Sequence, residues 1–146
     1  MLLPSFYDFC CRVRTISGNK TLEKIPALLA GMGASKPMIV TDKGVMAVGL
    51  IDVVKKAMGK LKPGAIFDGV PVDSDYKVVN EAAKIYRQKK CDSIITVGGG
   101  SAMDTAKGIN ILASLGGDNL LDYEGAGAVK KKLNPLIAIP TTSGTG

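Results

Sequence analysis

The sequence predicts an α/β fold in which a mainly parallel sheet is covered by helices on both faces. Short apolar runs bounded by turn residues alternate with segments whose apolar residues recur at helical spacing. The apolar runs lack the polar alternation of a half-exposed strand, which is typical of parallel strands buried on both faces. Because crossovers between parallel strands are right-handed, the sheet should be doubly wound, with ligands binding beyond the carboxyl ends of its strands.

The chain begins with a segment that is rich in β-forming residues. Residues 5–17 end at Gly18 and predict an N-terminal edge strand or hairpin. A helix should follow, with Thr21 as a plausible N-cap and a start near Lys24, because Pro26 is tolerated only in a first turn.

The elements that follow alternate regularly between strand and helix. The first of them are a strand over 38–40, a helix over 45–60 and a strand over 65–67. The later ones are a helix over 75–89, a strand over 93–97, a helix over 102–115, a polar loop over 118–134 with at most a short helix, and a strand over 136–139. Ser74 or Asp73 is the predicted N-cap of the helix over 75–89.

Composition excludes several kinds of chemistry. The 146 residues fit one domain with a single core, and they contain 3 Cys and no His. Without histidine, no Ser-His or Cys-His nucleophile pair and no histidine-containing zinc site can form. Cys10, Cys11 and Cys91 lack C-x-x-C spacing and should be reduced, packed thiols. We therefore assign no catalytic residue and no metal ligand within these residues.

The same inventory limits partners and location. No apolar run approaches the roughly 18 residues of a membrane helix, and the first residues do not resemble a signal peptide, so we expect a cytoplasmic protein without a membrane partner. The net charge of +6 raises the alternative of nucleic-acid binding. The dense basic run at 130–132 has no interleaved aromatic residue, however, and we expect a solvated loop and no nucleic-acid partner.

Three consecutive glycines carry the strongest functional signal. Gly98, Gly99 and Gly100 follow a predicted strand directly, and Ser101 is the predicted N-cap of the next helix, with Asp104 completing an S-x-x-D capping pattern. Glycine lets backbone N–H groups approach an anion, and a helix N-terminus adds free donors and partial positive charge. We expect a phosphate or pyrophosphate there, the alternative being a tight turn. The segment matches neither G-x-G-x-x-G nor a P-loop.

Other candidate residues follow neighbouring strands. Thr141 and Thr142 should border the same crevice, while Lys107 either pairs with Asp104 on the surface or faces the pocket. Asp42 is either a helix cap or a ligand for both ribose hydroxyls of an adenosine. In the second role its carboxylate would repel a 2′-phosphate, which favours NAD over NADP.

These segments together resemble a known enzyme family. Residues 98–107 match the G-G-G-S-x-x-D-x-A-K cofactor motif of the iron-containing (group III) alcohol dehydrogenases. Residues 140–146 match the opening of that family's P-T-T-x-G-T-G-S-E, while 40–42 and 67–70 correspond to its V-T-D and F-D-x-V. The resemblance extends from about residue 5 to the end of the chain.

The resemblance implies a two-domain enzyme that acts on a primary alcohol or aldehyde. Its N-terminal α/β domain binds NAD(P), and its C-terminal helical domain holds a divalent metal, usually iron, which polarises the substrate oxygen during hydride transfer. Gly99, Gly100 and Ser101 would cradle the pyrophosphate, and Asp104 would support the loop. The implied cofactor-binding residues are Asp42, Gly98, Gly99, Gly100, Ser101, Asp104, Thr141 and Thr142.

Two departures shape the remaining expectations. Asp73 stands where the family commonly has an asparagine near the cofactor, and the metal ligands, an aspartate and several histidines, have no counterpart among residues 1–146. We expect these residues to be the dinucleotide-binding domain without the helical domain, unable to transfer hydride alone. We also expect a homo-oligomer, or self-association through an exposed domain interface. The alternative is a free-standing, non-catalytic nucleotide-binding or regulatory module.

Overall fold

The computed structural model describes residues 13–125 and 127–143. Within these residues the chain forms strands that alternate with helices, as predicted. In order they are η1 (a 3-10 helix, Thr21–Lys24), α1 (Ile25–Gly31), β1 (Pro37–Val40), α2 (Lys43–Ala47), α3 (Leu50–Ala57), β2 (Ala65–Phe67), α4 (Tyr76–Gln88), β3 (Ser93–Gly98), α5 (Gly100–Leu115), η2 (a 3-10 helix, Leu120–Tyr123) and β4 (Leu136–Pro140).

All strand pairings in the sheet are parallel, in the order β2-β1-β3-β4. The chain therefore runs outward in one direction from β1 to β2, and in the opposite direction from β3 to β4. Such a reversal of strand order opens a crevice at the carboxyl ends of the two central strands, which is where doubly wound sheets bind ligands. The predicted mainly parallel sheet is confirmed.

Helices cover both faces of the sheet because successive side chains of each strand point to opposite sides. On one face, Met38 and Ile94 pack with residues of α4 and α5. On the other face, Ile39 and Ile95 pack with residues of α1 and α3. All six residues of β3 are buried, which explains the unbroken apolar run in the sequence.

A carboxylate anchors the amino end of the sheet. Asp92 precedes β3 and accepts hydrogen bonds from the backbone N–H groups of Ser35 (2.8 Å) and Lys36 (2.9 Å), and from the Ser93 hydroxyl (2.8 Å). Burial favours the neutral acid, but the donated hydrogen bonds outweigh burial and lower the pKa of Asp92 below its ordinary value. This carboxylate joins the loop before β1 to β3.

The start of the chain and two helices differ from the sequence predictions. Most of the predicted edge strand over 5–17 lies outside the described residues, and residues 13–17, which are described, are not strand. The α1 helix does begin near Lys24, as predicted. Thr21, however, is the first residue of the preceding 3-10 helix and is not the N-cap of α1. The single helix predicted over 45–60 is two helices.

The break between α2 and α3 lies at Gly49, whose φ of 76° gives it the left-handed conformation. Asp42 already caps α2, so that helix begins earlier than predicted and ends at Ala47. Val45 and Ile51 are nonetheless buried in the same core, on either side of the break. The apolar periodicity continues through the break and therefore does not reveal it.

The N-cap of α4 was also predicted at the wrong residue. Asp75, rather than Ser74 or Asp73, caps this helix, and its carboxylate accepts a hydrogen bond from the Lys77 N–H (2.8 Å). Ser74 is instead hydrogen-bonded to Thr105 of α5 (3.2 Å). Several adjacent residues with capping side chains make the position of such a cap ambiguous in sequence.

Candidate cofactor-binding site

A cleft of about 660 Å³ opens at the carboxyl ends of the strands. Each of the four strands of the described sheet contributes to it through the segment that follows the strand. The lining residues are Asp42, Lys43 and Gly44 after β1; Asp68, Gly69, Val70, Pro71 and Val72 after β2; Gly99, Gly100, Ser101 and Ala102 after β3; and Thr141 and Thr142 after β4.

Gly98 has a packing role beneath the cleft and is not among the residues that line it. It is the buried last residue of β3, and a Cβ added there would lie 2.6 Å from the Ala102 Cβ. Its carbonyl accepts a hydrogen bond from the Thr141 N–H (3.0 Å), which joins the end of β4 to the start of the glycine loop. The absence of a side chain at Gly98 lets α5 begin close to the sheet.

Gly99 and Gly100 differ from Gly98 because a Cβ could be added at either of them without a clash. A Cβ added at Gly99 would make ordinary contact with Thr142 at 3.5 Å, and one added at Gly100 would meet no atom within 4 Å. Packing within the fold would therefore allow a larger residue than glycine at position 100. Bare backbone here instead leaves room for a ligand to approach the main chain.

The first turn of α5 offers hydrogen-bond donors to this space. The Met103 N–H donates to the Gly99 carbonyl (3.1 Å) and is the first hydrogen bond of the helix. The N–H groups of Gly100, Ser101 and Ala102 precede that bond, and all three residues line the cleft. Three consecutive amides at the start of a 16-residue helix suit an anion such as a phosphate.

Ser101 is not the N-cap that the sequence predicted. The N-cap of α5 is Gly99, which has no side chain with which to cap the helix, and Ser101 lies in the first turn. Its hydroxyl donates to the carbonyl of Val72 in the loop between β2 and α4. Together with the bond between Ser74 and Thr105, this contact ties that loop to α5.

Asp104 and Lys107 lie outside the cleft. Their side chains form an ion pair (3.1 Å) on the surface of α5, and both are more than half exposed. The prediction of an S-x-x-D capping box is therefore wrong: Ser101 is not at the N-cap, and Asp104 is not at the third helical position. Of the two roles considered for Lys107, the surface pair is the one observed. Exposed pairs of this kind contribute under about 1 kcal/mol.

Asp42 lies at the cleft and also caps a helix. One carboxylate oxygen accepts a hydrogen bond from the Val45 N–H (2.9 Å), as expected of an N-cap. A Cβ added at Gly98 would lie 3.4 Å from the other oxygen, so this oxygen faces the gap between β1 and β3. A carboxylate has about four acceptor sites, and one hydrogen bond leaves others for a ligand. The two roles considered for Asp42 are therefore compatible.

The sequence reasoning missed several residues of the cleft, of which Asp68 and Lys43 are charged. Asp68 follows β2 directly, and the rule that indicated Asp42 applies equally to it. Thr141 and Thr142 are exposed and line the cleft, so the structure brings Asp42, Gly99, Gly100, Ser101 and both threonines together. Gly98 and Asp104 are not among its lining residues.

The remaining sites considered in the sequence have simpler surroundings. Cys91 is a buried free thiol, while Cys10 and Cys11 lie outside the described residues. Lys130–Lys132 are exposed in the loop before β4.

Across residues 13–125 and 127–143, no group of three or more His, Cys, Asp or Glu side chains is placed to hold a metal ion. In the same ranges, every helix is too short or too polar to cross a membrane.

The fold and this cleft define a doubly wound α/β protein with a cleft at the reversal of strand order, the place where such folds bind ligands. The profile of one family, the iron-containing alcohol dehydrogenases, matches residues 13–146. The chain belongs to this family, as the sequence motifs indicated.

Relatives and solved structures agree with this assignment. The chain is 44% identical to 4-hydroxybutyrate dehydrogenase of Cupriavidus necator over 79% of its own length and 31% of the relative's. It is 35% identical to NAD-dependent methanol dehydrogenase of Bacillus methanolicus over 90% of its length and 35% of the relative's. It thus spans about a third of the curated relatives that it matches.

Two solved structures are close to this one in fold. Sulfoacetaldehyde reductase from Bifidobacterium kashiwanohense in complex with NAD+ superposes with a TM-score of 0.82 at 28% identity, over 97% of this chain and 38% of that one. A 1,3-propanediol oxidoreductase superposes with a TM-score of 0.79 at 34% identity, over 88% of this chain and 34% of that one.

Proposed function

We propose that this chain is the NAD-binding part of a metal-dependent alcohol dehydrogenase, which transfers hydride between a primary alcohol or aldehyde and a nicotinamide cofactor. The observation that carries the proposal is the set of three helix-initiating amides beside the open backbone of Gly99 and Gly100. Family membership supports the same reading, as does the NAD+ complex of a structural neighbour.

In this proposal the cofactor crosses the carboxyl edge of the sheet. Its pyrophosphate lies against the first turn of α5, where backbone N–H groups balance its charge. Asp42 accepts hydrogen bonds from the adenosine ribose, and Thr141 and Thr142 border the cofactor further along. Ser101 contributes its backbone amide, since its hydroxyl is engaged with Val72.

No catalytic residue is assigned to these 146 residues, and the described residues offer no metal site that fits the iron of the family name. A preparation of these residues alone should bind dinucleotide weakly and should turn over no alcohol. The chemistry implied by the family is hydride transfer assisted by a metal that polarises the substrate oxygen. Within these residues we assign only the binding and orientation of the dinucleotide.

Self-association through an apolar surface is also proposed. A groove of about 300 Å³ beside the cleft is lined by apolar residues of η1, α3 and β4, including Leu22, Leu50 and Ile139. Val53 in the same groove is 54% exposed, and Val48 nearby in the chain is 71% exposed. Contiguous exposed apolar surface of this kind promotes association between copies or domains.

Calorimetry with NADH tests the cofactor assignment. The variant Gly100→Ala adds a methyl group where the structure has open space, so we expect an intact fold and a dissociation constant for NADH raised at least about tenfold. Gly31→Ala is the matched control, because a Cβ added there also meets no atom within 4 Å. Gly31 ends α1 and precedes the start of β1, so it lies toward the amino ends of the strands, away from the cleft. Equal affinity in both variants would contradict the proposed pyrophosphate site.

The alternative is a non-catalytic nucleotide-binding module that uses the same cleft. The two functions differ in what they need from the nicotinamide half of the cofactor. A dehydrogenase part should bind NADH more tightly than ADP-ribose, which lacks the nicotinamide, whereas a module that reads only the adenosine and phosphates should bind both equally. Parallel titrations with the two ligands therefore discriminate between them.

A further inference from the structure

Asp68 is a second carboxylate of the cleft, contributed by the strand next to that of Asp42. It directly follows β2, which pairs with β1 in parallel register so that Phe67 lies opposite Val40. Both acids line the cleft, and both follow strands on the side of the sheet away from β4. In the proposed function this is the adenosine side, because the ribose is assigned to Asp42.

Backbone hydrogen bonds hold Asp68 in this position. On one side of it, the Thr41 N–H donates to the Phe67 carbonyl (2.8 Å), and on the other, the Val70 N–H donates to the Thr41 carbonyl (3.4 Å). Val70 is buried with 7% exposure, which fixes the segment further. The Thr41 hydroxyl in turn donates to the Val97 carbonyl of β3 (2.8 Å). The main chain at Asp68 is therefore held beside that of Asp42.

The charges that line the cleft sum to a negative value. The charged residues among those that line the cleft are Asp42, Asp68 and Lys43, which carry two negative charges and one positive charge. Asp42 already accepts a hydrogen bond from the Val45 N–H. The carboxylate of Asp68, in contrast, is exposed and has neither a hydrogen bond nor an ion pair within the described part of the chain.

We propose that Asp68 is a second determinant of cofactor selectivity, which acts with Asp42 to exclude a 2′-phosphate and so to favour NAD over NADP. The inference rests on the proposed function, since it requires a dinucleotide in the cleft. A phosphate monoester carries about 1.5 to 2 negative charges at neutral pH, all of them on the ribose that Asp42 would bind. Asp68 repels that charge at a distance, whereas Asp42 contacts the ribose itself.

The isosteric variant Asp68→Asn tests this role, with dissociation constants for NADH and NADPH measured by calorimetry at low and high salt. We expect the ratio of the NADPH constant to the NADH constant to fall by about threefold to tenfold at low salt, and by less at high salt, because salt screens an exposed charge. The constant for NADH should stay within about twofold. Asp122→Asn, which removes an exposed carboxylate of η2 that does not line the cleft, should leave the ratio unchanged.

Two results would overturn the inference, and both can be told apart from a failure of the proposed function. An unchanged ratio in Asp68→Asn, with NADH still bound by the unaltered chain, would refute the role of Asp68 alone. An equal loss of affinity for both cofactors would also refute it, because that result indicates a structural or adenine-binding role. If the unaltered chain binds neither cofactor, the proposed function falls and the inference falls with it.

Discussion

Replacing Gly98 with alanine should destabilise the fold, whereas the same change at Gly100 should not. A Cβ at Gly98 would lie 2.6 Å from the Ala102 Cβ, about 1 Å closer than an ordinary carbon–carbon contact. Overpacking of this kind costs about 1–3 kcal/mol. The φ of 156° at Gly98 adds strain for any residue with a side chain. A Cβ added at Gly100 would meet no atom within 4 Å, and alanine in place of helical glycine stabilises by up to about 0.5–1 kcal/mol.

Urea unfolding followed by far-ultraviolet circular dichroism measures both effects. We expect a lower midpoint for Gly98→Ala with an unchanged slope, and an equal or higher midpoint for Gly100→Ala. The double variant Gly98→Ala, Ala102→Gly removes the clashing methyl group. Its loss of unfolding free energy should therefore be smaller than the sum of the losses in the two single variants. Equal midpoints for the two single variants would refute the distinction between a packing glycine and a binding glycine.

Three further outcomes are expected. Asp92→Asn should lower the free energy of unfolding by about 1–2 kcal/mol at neutral pH, since it weakens a charged hydrogen-bond cluster. Because the folded pKa of Asp92 is lowered, its stabilisation should be present above the ordinary value and should disappear as the pH falls below about 4, so thermal melts of the two proteins should converge in acid. Thr96→Val should raise the free energy of unfolding by about 1 kcal/mol, because the buried Thr96 hydroxyl has no hydrogen-bond partner among residues 13–125 and 127–143; a lower melting temperature would contradict this. Val53→Lys should reduce self-association measured by light scattering, whereas Val129→Lys, at an exposed site outside the groove, should not.

The sheet and its helices were predictable because their signal is repeated along the whole chain. The buried strand β3 and the long helix α5 each carry an apolar pattern that few other structures fit. The break at Gly49 was missed because Val45, Val48 and Ile51 follow one another at helical spacing in the sequence, although Val48 is exposed in the structure. A positive φ at a single glycine leaves no trace in hydrophobic periodicity.

The candidate site was predictable in its location but not in all of its contacts. The carboxyl ends of parallel strands meet at one edge, and this placed Asp42, Thr141 and the glycines together. The hydroxyl of Ser101 was assigned to a cap from local spacing, whereas the structure engages it with Val72, a residue distant in sequence. Asp68 was not predicted as a site residue, although it directly follows a predicted strand, as Asp42 does.

The ties between Ser101 and Val72, and between Ser74 and Thr105, have a consequence for engineering. They fasten the connection between β2 and α4 to the helix that begins at the glycines, so a change in that connection reaches the amides of α5. Grafting a loop from a relative to alter coenzyme preference would need a hydroxyl or amide opposite Thr105 to keep the helix start in register. A library that varies the loop and position 105 together should therefore yield more folded binders than one that varies the loop alone.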